Sequence, residues 1–240
     1  MNSLLSDIFY STVDFLFPSR CICCNKVIPF QQNHLCEICF SRIVLLDERC
    51  EVCSGVVING ICAICSDRRF YITKNIVIAE YTGVMKEILH NYKFNKKIRL
   101  YKQLCRLSFP HIVKHRDHFD ILTAVPMNSR KKWKRGFNQS ELVARELADR
   151  LNIKFYTLLK EKIYSKTQKD LGFRDRFLNI LDRYEMKKSN ILNGEKILLV
   201  DDIFTTGATI NECARILMSS GADSVYSLTL ARASFKRLGH

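Results

Sequence analysis

The sequence predicts an α/β protein with a mostly parallel sheet, preceded by a small Cys-rich module of the zinc-ribbon kind. Three observations lead to this fold class. Short apolar segments alternate with helical patterns after residue 70, which is typical of a parallel sheet covered by helices on both faces. Nine of the 11 cysteines lie between residues 21 and 65. With 47% hydrophobic residues, the 240-residue chain can bury a core, and this excludes a disordered protein.

An amphipathic helix is expected at the beginning of the chain, within residues 1–19. Its apolar positions recur at helical spacing, polar residues lie opposite them, and Pro18 ends the run. The helix either lies in the plane of a membrane or docks on the rest of the protein. Its polar face is acidic, the wrong sign for anionic lipid, and this favours docking. The chain has no run of roughly 18 apolar residues, as a membrane-spanning helix requires.

Residues 20–70 form the predicted zinc module. Eight cysteines there make four Cys-x-x-Cys pairs, and two intervening residues allow a tight turn to direct both sulfurs of a pair at one tetrahedral Zn²⁺. Two such pairs complete a closed site. The predicted ligands are Cys21, Cys24, Cys36, Cys39, Cys50, Cys53, Cys62 and Cys65.

The spacing leaves open which pairs share an ion. Eleven residues separate the first two pairs and eight separate the last two, which is short enough for successive zinc ribbons. Cys23 is an alternative to Cys24 as a ligand. Disulfides are a rival interpretation, which a reducing cytoplasm and the absence of a basic secretory leader disfavour. Because a closed site has no open coordination position, the module is expected to hold its shape and bind a partner, not to catalyse.

Residues 71–240 are predicted to form the sheet domain. Strands are expected at 76–79, 121–125, 197–200 and 225–230, and helices with one apolar stripe at 84–92, 98–105, 140–151 and 210–219. Parallel sheets bind their ligands in the loops at the carboxyl ends of the strands. The loop after residue 125, which is rich in arginine and lysine, and the loop after residue 200 are therefore the regions of interest.

The charge of the chain is concentrated in one region. The net charge is +14, and residues 86–135 contain 14 basic and three acidic side chains. Such a region attracts polyanions, for example nucleic acid, phosphorylated substrates or anionic lipid, whereas the simpler alternative is a solvated face. Aromatic residues are interleaved with these cations, as in proteins that stack on unpaired bases, although Tyr92 and Tyr101 are better explained as core residues. The aromatics are Tyr92, Phe94, Tyr101, Trp133 and Phe137.

The most informative segment is ILLVDDIFTTGATINE, residues 197–212. Four apolar residues carry a strand to two adjacent carboxylates, Asp201 and Asp202, where the strand is expected to stop. The following loop offers N–H groups, hydroxyls and a helix N-terminus, which together can bind one phosphate. The residues of this predicted phosphate site are Thr205, Thr206, Gly207, Ala208 and Thr209.

Two acids beside a phosphate site would repel its ligand unless they accept hydrogen bonds from hydroxyl groups. This combination points to a ribose 5-phosphate. A Walker A loop and a dinucleotide fingerprint are excluded, because the required glycines and lysine are missing. The simpler alternative is that these residues only cap the helix while the acids pair with lysines. Capping does not require two carboxylates at a buried strand end, so the sugar-phosphate interpretation is favoured.

These residues carry a resemblance to known families. VDDIFTTGAT resembles the phosphoribosyl pyrophosphate binding motif of type I phosphoribosyltransferases. The four cysteine pairs, YTGVMKEILHNYKFNKK, VPMNSRKKWKRGFNQSELVARELA, SKTQKDLGFRDRFLNI and the closing LTLAR resemble, in this order, the ComF family of competence proteins. The resemblance covers nearly the whole chain. It implies a double zinc ribbon joined to a sheet domain of the type I phosphoribosyltransferase type.

The resemblance also implies roles for individual residues. Asp201 and Asp202 would hold the ribose 2- and 3-hydroxyls and would be the catalytic acids of a transfer reaction, with Mg²⁺ bound together with phosphoribosyl pyrophosphate. Residues 165–176 occupy the place of a lid. A reader for a nucleobase is not recognisable. Candidates for contacts with pyrophosphate or DNA are Arg130, Lys131, Lys132, Lys134 and Arg135.

Two functions follow as expectations. In the first, the protein works in natural transformation and handles incoming single-stranded DNA; in the alternative, it is an active Mg²⁺-dependent phosphoribosyltransferase with an unknown acceptor. The expected partners are single-stranded DNA and other competence and recombination proteins, namely a DNA-uptake helicase and a recombinase loader. The expected location is the cytoplasm, with peripheral contact between the basic segment and the inner membrane.

Overall fold

The computed structural model describes residues 18–46, 50–62, 65–66, 68–162, 183–187 and 192–233. The predicted N-terminal helix, up to residue 17, and the segment 165–176 lie outside the described residues. Within the described part of the chain, no helix is long and apolar enough to cross a membrane.

The Cys-rich region contains only short elements, as expected for a module organised by metal sites. Two antiparallel strand pairs flank one short helix. Cys36 is the N-cap of this helix, because its sulfur accepts a hydrogen bond from the backbone N–H of Cys39. In chain order the elements are β1 (Ser19–Arg20), β2 (Val27–Ile28), α1 (Glu37–Phe40), β3 (Val57–Ile58) and β4 (Ile61–Cys62).

The elements of the sheet domain alternate as the apolar pattern predicts. In chain order they are β5 (Lys74–Glu80), α2 (Gly83–Phe94), α3 (Leu100–Ile112), β6 (Ile121–Ala124), α4 (Ser129–Arg135), α5 (Gln139–Leu151), β7 (Lys154–Phe155), β8 (Leu159–Glu161), β9 (Tyr184–Met186), β10 (Lys196–Phe204), α6 (Ala208–Ser219) and β11 (Ser224–Arg232).

Five strands form one parallel sheet in the order β5-β11-β10-β6-β7. Every neighbouring pair in it is parallel, and β8 and β9 make a separate antiparallel pair. Along the central strand β10, Leu198 and Val200 belong to the core that includes α2, α3 and α5, whereas Ile197 and Leu199 belong to the core that includes α6. Both faces of β10 are therefore buried, which explains its continuous apolar sequence. The predicted fold class is confirmed.

The structure differs from the sequence prediction at two places. The strand expected to stop at the two carboxylates continues to Phe204, because β11 is long enough to pair with this extension, from Asp201 with Thr229 to Phe204 with Arg232. The arginine- and lysine-rich loop after residue 125 is in fact largely the helix α4. Its side chains all suit a helix, and Asn128 caps it by accepting a hydrogen bond from the N–H of Arg130 at 3.0 Å.

The segment between the two halves of the Cys-rich region runs along the edge of the sheet. The N–H of Leu46 donates to the carbonyl of Ile78 at 3.0 Å, and the N–H of Glu80 donates to the carbonyl of Val44 at 2.9 Å. This pairing covers part of the edge strand β5, which would otherwise expose unpaired backbone groups. It also allows the first half of the region to pack with the α3 core and the second half with the α6 core.

Candidate functional site

The two predicted acids lie next to each other near the carboxyl end of β10. The N–H of Asp202 donates to Oδ1 of Asp201 at 2.8 Å, and the Ser140 hydroxyl also hydrogen bonds to Asp201. The ammonium of Lys93, at the end of α2, lies 2.7 Å from Oδ2 of Asp202. Both partners of this ion pair are largely shielded from solvent, with side chains 14% and 19% exposed. One of the two carboxylate charges is thus neutralised by the protein itself.

Burial, and after it the neighbouring charge of Asp202, raise the pKa of Asp201 to about 7. The N–H of Asp202, the ammonium of Lys93 and the hydroxyl of Ser140 act in the opposite direction but do not outweigh burial. The folded protein therefore binds a proton at Asp201 more tightly than the unfolded chain does.

This raised pKa predicts a pH-dependent stability difference for Asp201→Asn. Above about pH 7 the buried charge of Asp201 lowers the free energy of unfolding by its full amount. This destabilisation decreases as the pH falls toward the ordinary pKa of the carboxyl. Asparagine keeps the hydrogen-bonding oxygen without the charge. We expect it to raise the Tm at pH 8 by about 2–4 °C, which corresponds to ~1 kcal/mol in a chain of this size, and to raise it by less than half as much at pH 5. A thermal shift of equal size at both pH values would contradict the assignment.

The loop after β10 forms the expected corner around Gly207. Gly207 has φ +78° and is the N-cap of α6, and a Cβ there would lie 2.7 Å from the Phe204 ring, so glycine is required for both conformation and space. The Thr206 hydroxyl accepts a hydrogen bond from the N–H of Ala208 at 3.4 Å. A hollow of about 20 Å³ lies against this loop, with a lining that includes Asp201, Thr205, Ala208 and Thr209.

A larger cavity of about 280 Å³ adjoins this hollow. Both share Asp201 and Thr209 in their walls, and Asp202 borders the larger one. The hollow alone has room for roughly one water molecule, whereas a sugar phosphate needs the two spaces together. The cations lining the large cavity are Lys93, Lys131, Arg135 and Arg183.

The structure separates the five predicted basic residues into two groups. Lys131 and Arg135 line the large cavity together with the two acids, whereas Arg130, Lys132 and Lys134 are exposed and are not among its lining residues. Lys132 instead lies 3.3 Å from Glu141 in an ion pair on the adjacent helix α5. Helical geometry explains this division, because positions four apart share one face of α4.

The segment RGFNQS joins α4 to α5 beneath the cavity. Arg135 donates to the Gln139 side chain at 3.1 Å, Gly136 ends α4 with φ +86°, and the Phe137 ring packs 5.3 Å from the Tyr92 ring. Asn138 caps α5 and donates to the carbonyl of Val125 at 3.0 Å. These contacts fix the direction of α4 and thereby the positions of Lys131 and Arg135.

Several cavity residues were not predicted from the sequence. Lys93 lies in the last turn of α2 and Ser140 at the start of α5. Tyr184 begins β9, and Arg183 directly precedes it. Ser140 directly follows the RGFNQ element, and this position is a signal in the sequence that could have identified it. Lys93 has no local pattern that separates it from the other lysines of its segment.

The cysteines form two separate clusters, which resolves the question of pairing. Cys21, Cys24, Cys36 and Cys39 make the first cluster, and Cys50, Cys53, Cys62 and Cys65 make the second. Within each cluster all four sulfurs lie within 4.8 Å of one another, for example 3.7 Å between Cys24 and Cys36. Four cysteine sulfurs at this spacing fit a tetrahedral Zn²⁺. Cys23 is not part of the first cluster.

Comparison with known proteins finds relatives of the whole chain and a family model that matches its C-terminal part. Residues 138–238 match the family described as "Phosphoribosyl transferase domain". "Competence protein F" of Haemophilus influenzae is 26% identical over 226 residues, which are 90% of this chain and 98% of that protein. "Competence protein ComFC" of Bacillus subtilis is 28% identical over 237 residues, covering 95% and 90% of the two chains. "DNA utilization protein YhgH" of Escherichia coli K12 is 25% identical over 224 residues, covering 90% and 97%.

These matches cover 90% or more of the chain, so they are not confined to the sheet domain. Over about nine-tenths of its length the chain is therefore similar to competence proteins, as the resemblance predicts, and its C-terminal part matches a phosphoribosyl transferase domain. Solved structures similar to this chain include an adenine phosphoribosyltransferase, with a TM-score of 0.40 and 16% identity over 62% of this chain and 75% of that one. A hypoxanthine phosphoribosyltransferase from Staphylococcus aureus has a TM-score of 0.38 and 14% identity over 58% and 67%.

Proposed function

We propose that this chain handles incoming single-stranded DNA during natural transformation and that its cavity binds phosphoribosyl pyrophosphate or a closely similar ribose phosphate. The names of its relatives, a competence protein and a DNA utilization protein, support the first part. The observation that carries the second part is that two carboxylates, a glycine-containing helix N-terminus and several cations line two cavities that share Asp201 and Thr209.

The proposed ligand matches the distribution of charge in this space. Asp201 and Asp202 accept hydrogen bonds from the ribose hydroxyls, and the loop from Thr205 to Thr209 binds the 5-phosphate through its N–H groups and hydroxyls. Lys131 and Arg135, which line the same cavity, contact the pyrophosphate. The carboxylate oxygens also suit Mg²⁺, which would bind with the ligand and offset part of the pyrophosphate charge.

The proposed surface for single-stranded DNA is the helix α4 with the end of α2. Trp133, the single tryptophan of the chain, is 89% exposed among the five cations of α4. Phe94 is 60% exposed, and the guanidinium of Arg135 lies 5.1 Å from the centre of its ring. By contrast, Tyr92 and Phe137 are buried in the core. Exposed aromatics between cations can stack on bases while the cations contact phosphates.

Trp133→Ala is expected to weaken the binding of a single-stranded oligonucleotide about tenfold, because stacking on one base contributes ~1–3 kcal/mol. Trp133→Phe should retain most of the affinity. In the wild type, binding should quench the fluorescence of this single tryptophan, and the affinity should fall as salt rises. Tyr156→Ala, which removes a 43% exposed aromatic beside β7, serves as the control. Equal losses in the two alanine variants, or an affinity insensitive to salt, would contradict the proposed surface.

The second candidate function is an active phosphoribosyltransferase, favoured by the presence of Lys131 and Arg135 in the same cavity as the two acids. A measurement of pyrophosphate release distinguishes the two functions. An enzyme releases pyrophosphate from phosphoribosyl pyrophosphate in the presence of Mg²⁺ and an acceptor, whereas a binding site only retains the ligand. Release that the wild type shows and Asp202→Ala lacks would establish the enzyme.

Partners and location complete the proposal. We place the protein in the cytoplasm, where the basic surface of α4 contacts single-stranded DNA and, peripherally, the anionic inner membrane. A DNA-uptake helicase and a recombinase loader are the proposed protein partners, since the strand must pass from one to the other.

A further inference from the structure

The second cysteine cluster and the phosphate loop are joined by direct contacts. The residues that follow Cys65 run past the start of α6, where the guanidinium of Arg68 donates to the carbonyl of Thr206 at 3.5 Å. The Phe70 ring packs against the same corner, since a Cβ on Gly207 would lie 3.1 Å from it. Cys50, Cys53, Phe70 and Phe204 belong to one apolar cluster.

Asn211 makes the most specific of these contacts. Its side chain lies on the first turn of α6 and hydrogen bonds to the backbone on both sides of Phe70. Oδ1 accepts from the N–H of Tyr71 at 2.7 Å, and Nδ2 donates to the carbonyl of Arg69 at 3.0 Å. One amide therefore fastens the end of the zinc module to the helix whose N-terminus borders the phosphate hollow.

The first cluster has different contacts. Its module is held on α3, where Arg106 makes a bidentate ion pair with Glu37 at 2.7 and 2.8 Å, and the guanidinium of Arg99 lies 3.5 Å from the centre of the Phe30 ring. Arg99 also donates to the Asn33 side chain at 3.1 Å. These contacts lie on the side of the sheet whose core contains α3, whereas the phosphate loop packs with the α6 core.

We propose that the second zinc cluster holds the phosphate loop in its ligand-binding conformation, with Asn211 as the positioning residue. This inference rests on the proposed ribose-phosphate site. It makes Zn²⁺ at the second cluster and phosphoribosyl pyrophosphate at the loop energetically coupled. Because coupling between two binding equilibria is reciprocal, the ligand must then tighten the binding of the second Zn²⁺ by the same factor as that Zn²⁺ tightens the ligand.

The test measures zinc affinity at equilibrium in the full-length protein loaded with two Zn²⁺. A zinc-selective chromogenic chelator is titrated with and without phosphoribosyl pyrophosphate and Mg²⁺, and calorimetry measures ligand binding in parallel. We expect the ligand to tighten one of the two zinc ions by about fivefold or more, within the usual range of such coupling. The ligand should not change the affinity of the first cluster for its Zn²⁺, and this ion therefore serves as a control for zinc bound by the ligand itself. In Cys24→Ser, which removes a ligand of the first cluster, the protected ion should remain.

Asn211→Ala should still bind two Zn²⁺ but should bind phosphoribosyl pyrophosphate several-fold more weakly. In this variant the ligand should no longer tighten the binding of the second Zn²⁺. Ser219→Ala, which removes a hydrogen bond at the other end of the same helix, should leave both unchanged. Ligand binding by calorimetry without protection of either ion in the wild type would overturn the coupling and leave the proposed site intact. No ligand binding at all would overturn the proposed site, and the coupling with it. The wild-type comparison decides the matter even if Asn211→Ala fails to fold.

Discussion

The double substitution Asp201→Ala and Asp202→Ala is expected to reduce the affinity for phosphoribosyl pyrophosphate by about a hundredfold or more. A hydrogen bond to a charged group contributes ~1.5–3 kcal/mol, and the two carboxylates each receive at least one from the ribose hydroxyls in the proposed complex. Loss of both bonds removes ~3 kcal/mol or more, and each 1.4 kcal/mol is a factor of ten. Calorimetry with Mg²⁺ present measures the effect.

Electrostatics provides the competing expectation. Without the two acids, the cavity is more positive, and a ligand held only by its phosphates would bind more tightly to Lys93, Lys131 and Arg135. An unchanged or increased affinity would therefore mean that the site recognises phosphate and not ribose. Asp223→Ala removes an exposed acid immediately before β11, at the amino end of the strand that pairs with β10, and controls for the change in net charge. It should have no effect.

The ion pair of Lys93 with Asp202 explains how two acids are compatible with an anionic ligand. Asp202 is neutralised by the ammonium at 2.7 Å, and burial favours the protonated form of Asp201 near neutral pH. The protein without ligand therefore presents far less negative charge than its sequence suggests. Binding of Mg²⁺ and sugar hydroxyls would favour the ionised form of Asp201, because cations and hydrogen-bond donors stabilise a carboxylate.

The parts of the fold set by local patterns were predictable. The apolar run before Asp201, the helical stripe of α5 and the alternation of elements indicated the parallel sheet, since both faces of its central strand are buried. The position of β10 relative to its neighbours was not predictable in detail. Its extension to Phe204 depends on the length of β11, and the sequence of residues 197–204 contains no information about that length.

The candidate site was only partly predictable for the same reason. The segment around Asp201 and Gly207 combines an apolar run, two acids and a glycine turn, all of which are visible in sequence. The partners brought in by tertiary structure, Lys93 at a helix end and Asn211 beneath the loop, carry ordinary side chains at ordinary helix positions. Likewise, the helical form of α4 decided which cations face the cavity, because a loop would not have separated Lys131 from Lys132.

The cysteine clusters give the sharpest test of a structural prediction, because Cys23 and Cys24 are adjacent and differ in role. Cys24 is a member of the first cluster, whereas Cys23 is not. Cys24→Ser is expected to reduce the zinc content from two ions to one and to lower the Tm by roughly 10 °C, since loss of a metal site removes several kcal/mol and each kcal/mol corresponds to about 2–4 °C in a chain of this size. Cys23→Ser should retain two ions. Zinc content by atomic absorption and thermal unfolding measure both outcomes.

Burial alone predicts that Cys23→Ser lowers the stability more than Cys24→Ser does. Cys24 is exposed, whereas Cys23 is partly buried and packs against the core that includes α3, so a purely hydrophobic account assigns the larger loss to Cys23→Ser. A larger loss of stability in Cys24→Ser than in Cys23→Ser would therefore indicate that the Cys24 sulfur binds the metal ion and the Cys23 sulfur does not. If Cys23→Ser loses the ion and Cys24→Ser keeps it, the ligand at this position is Cys23, and the tetrahedron of the first cluster must be redrawn.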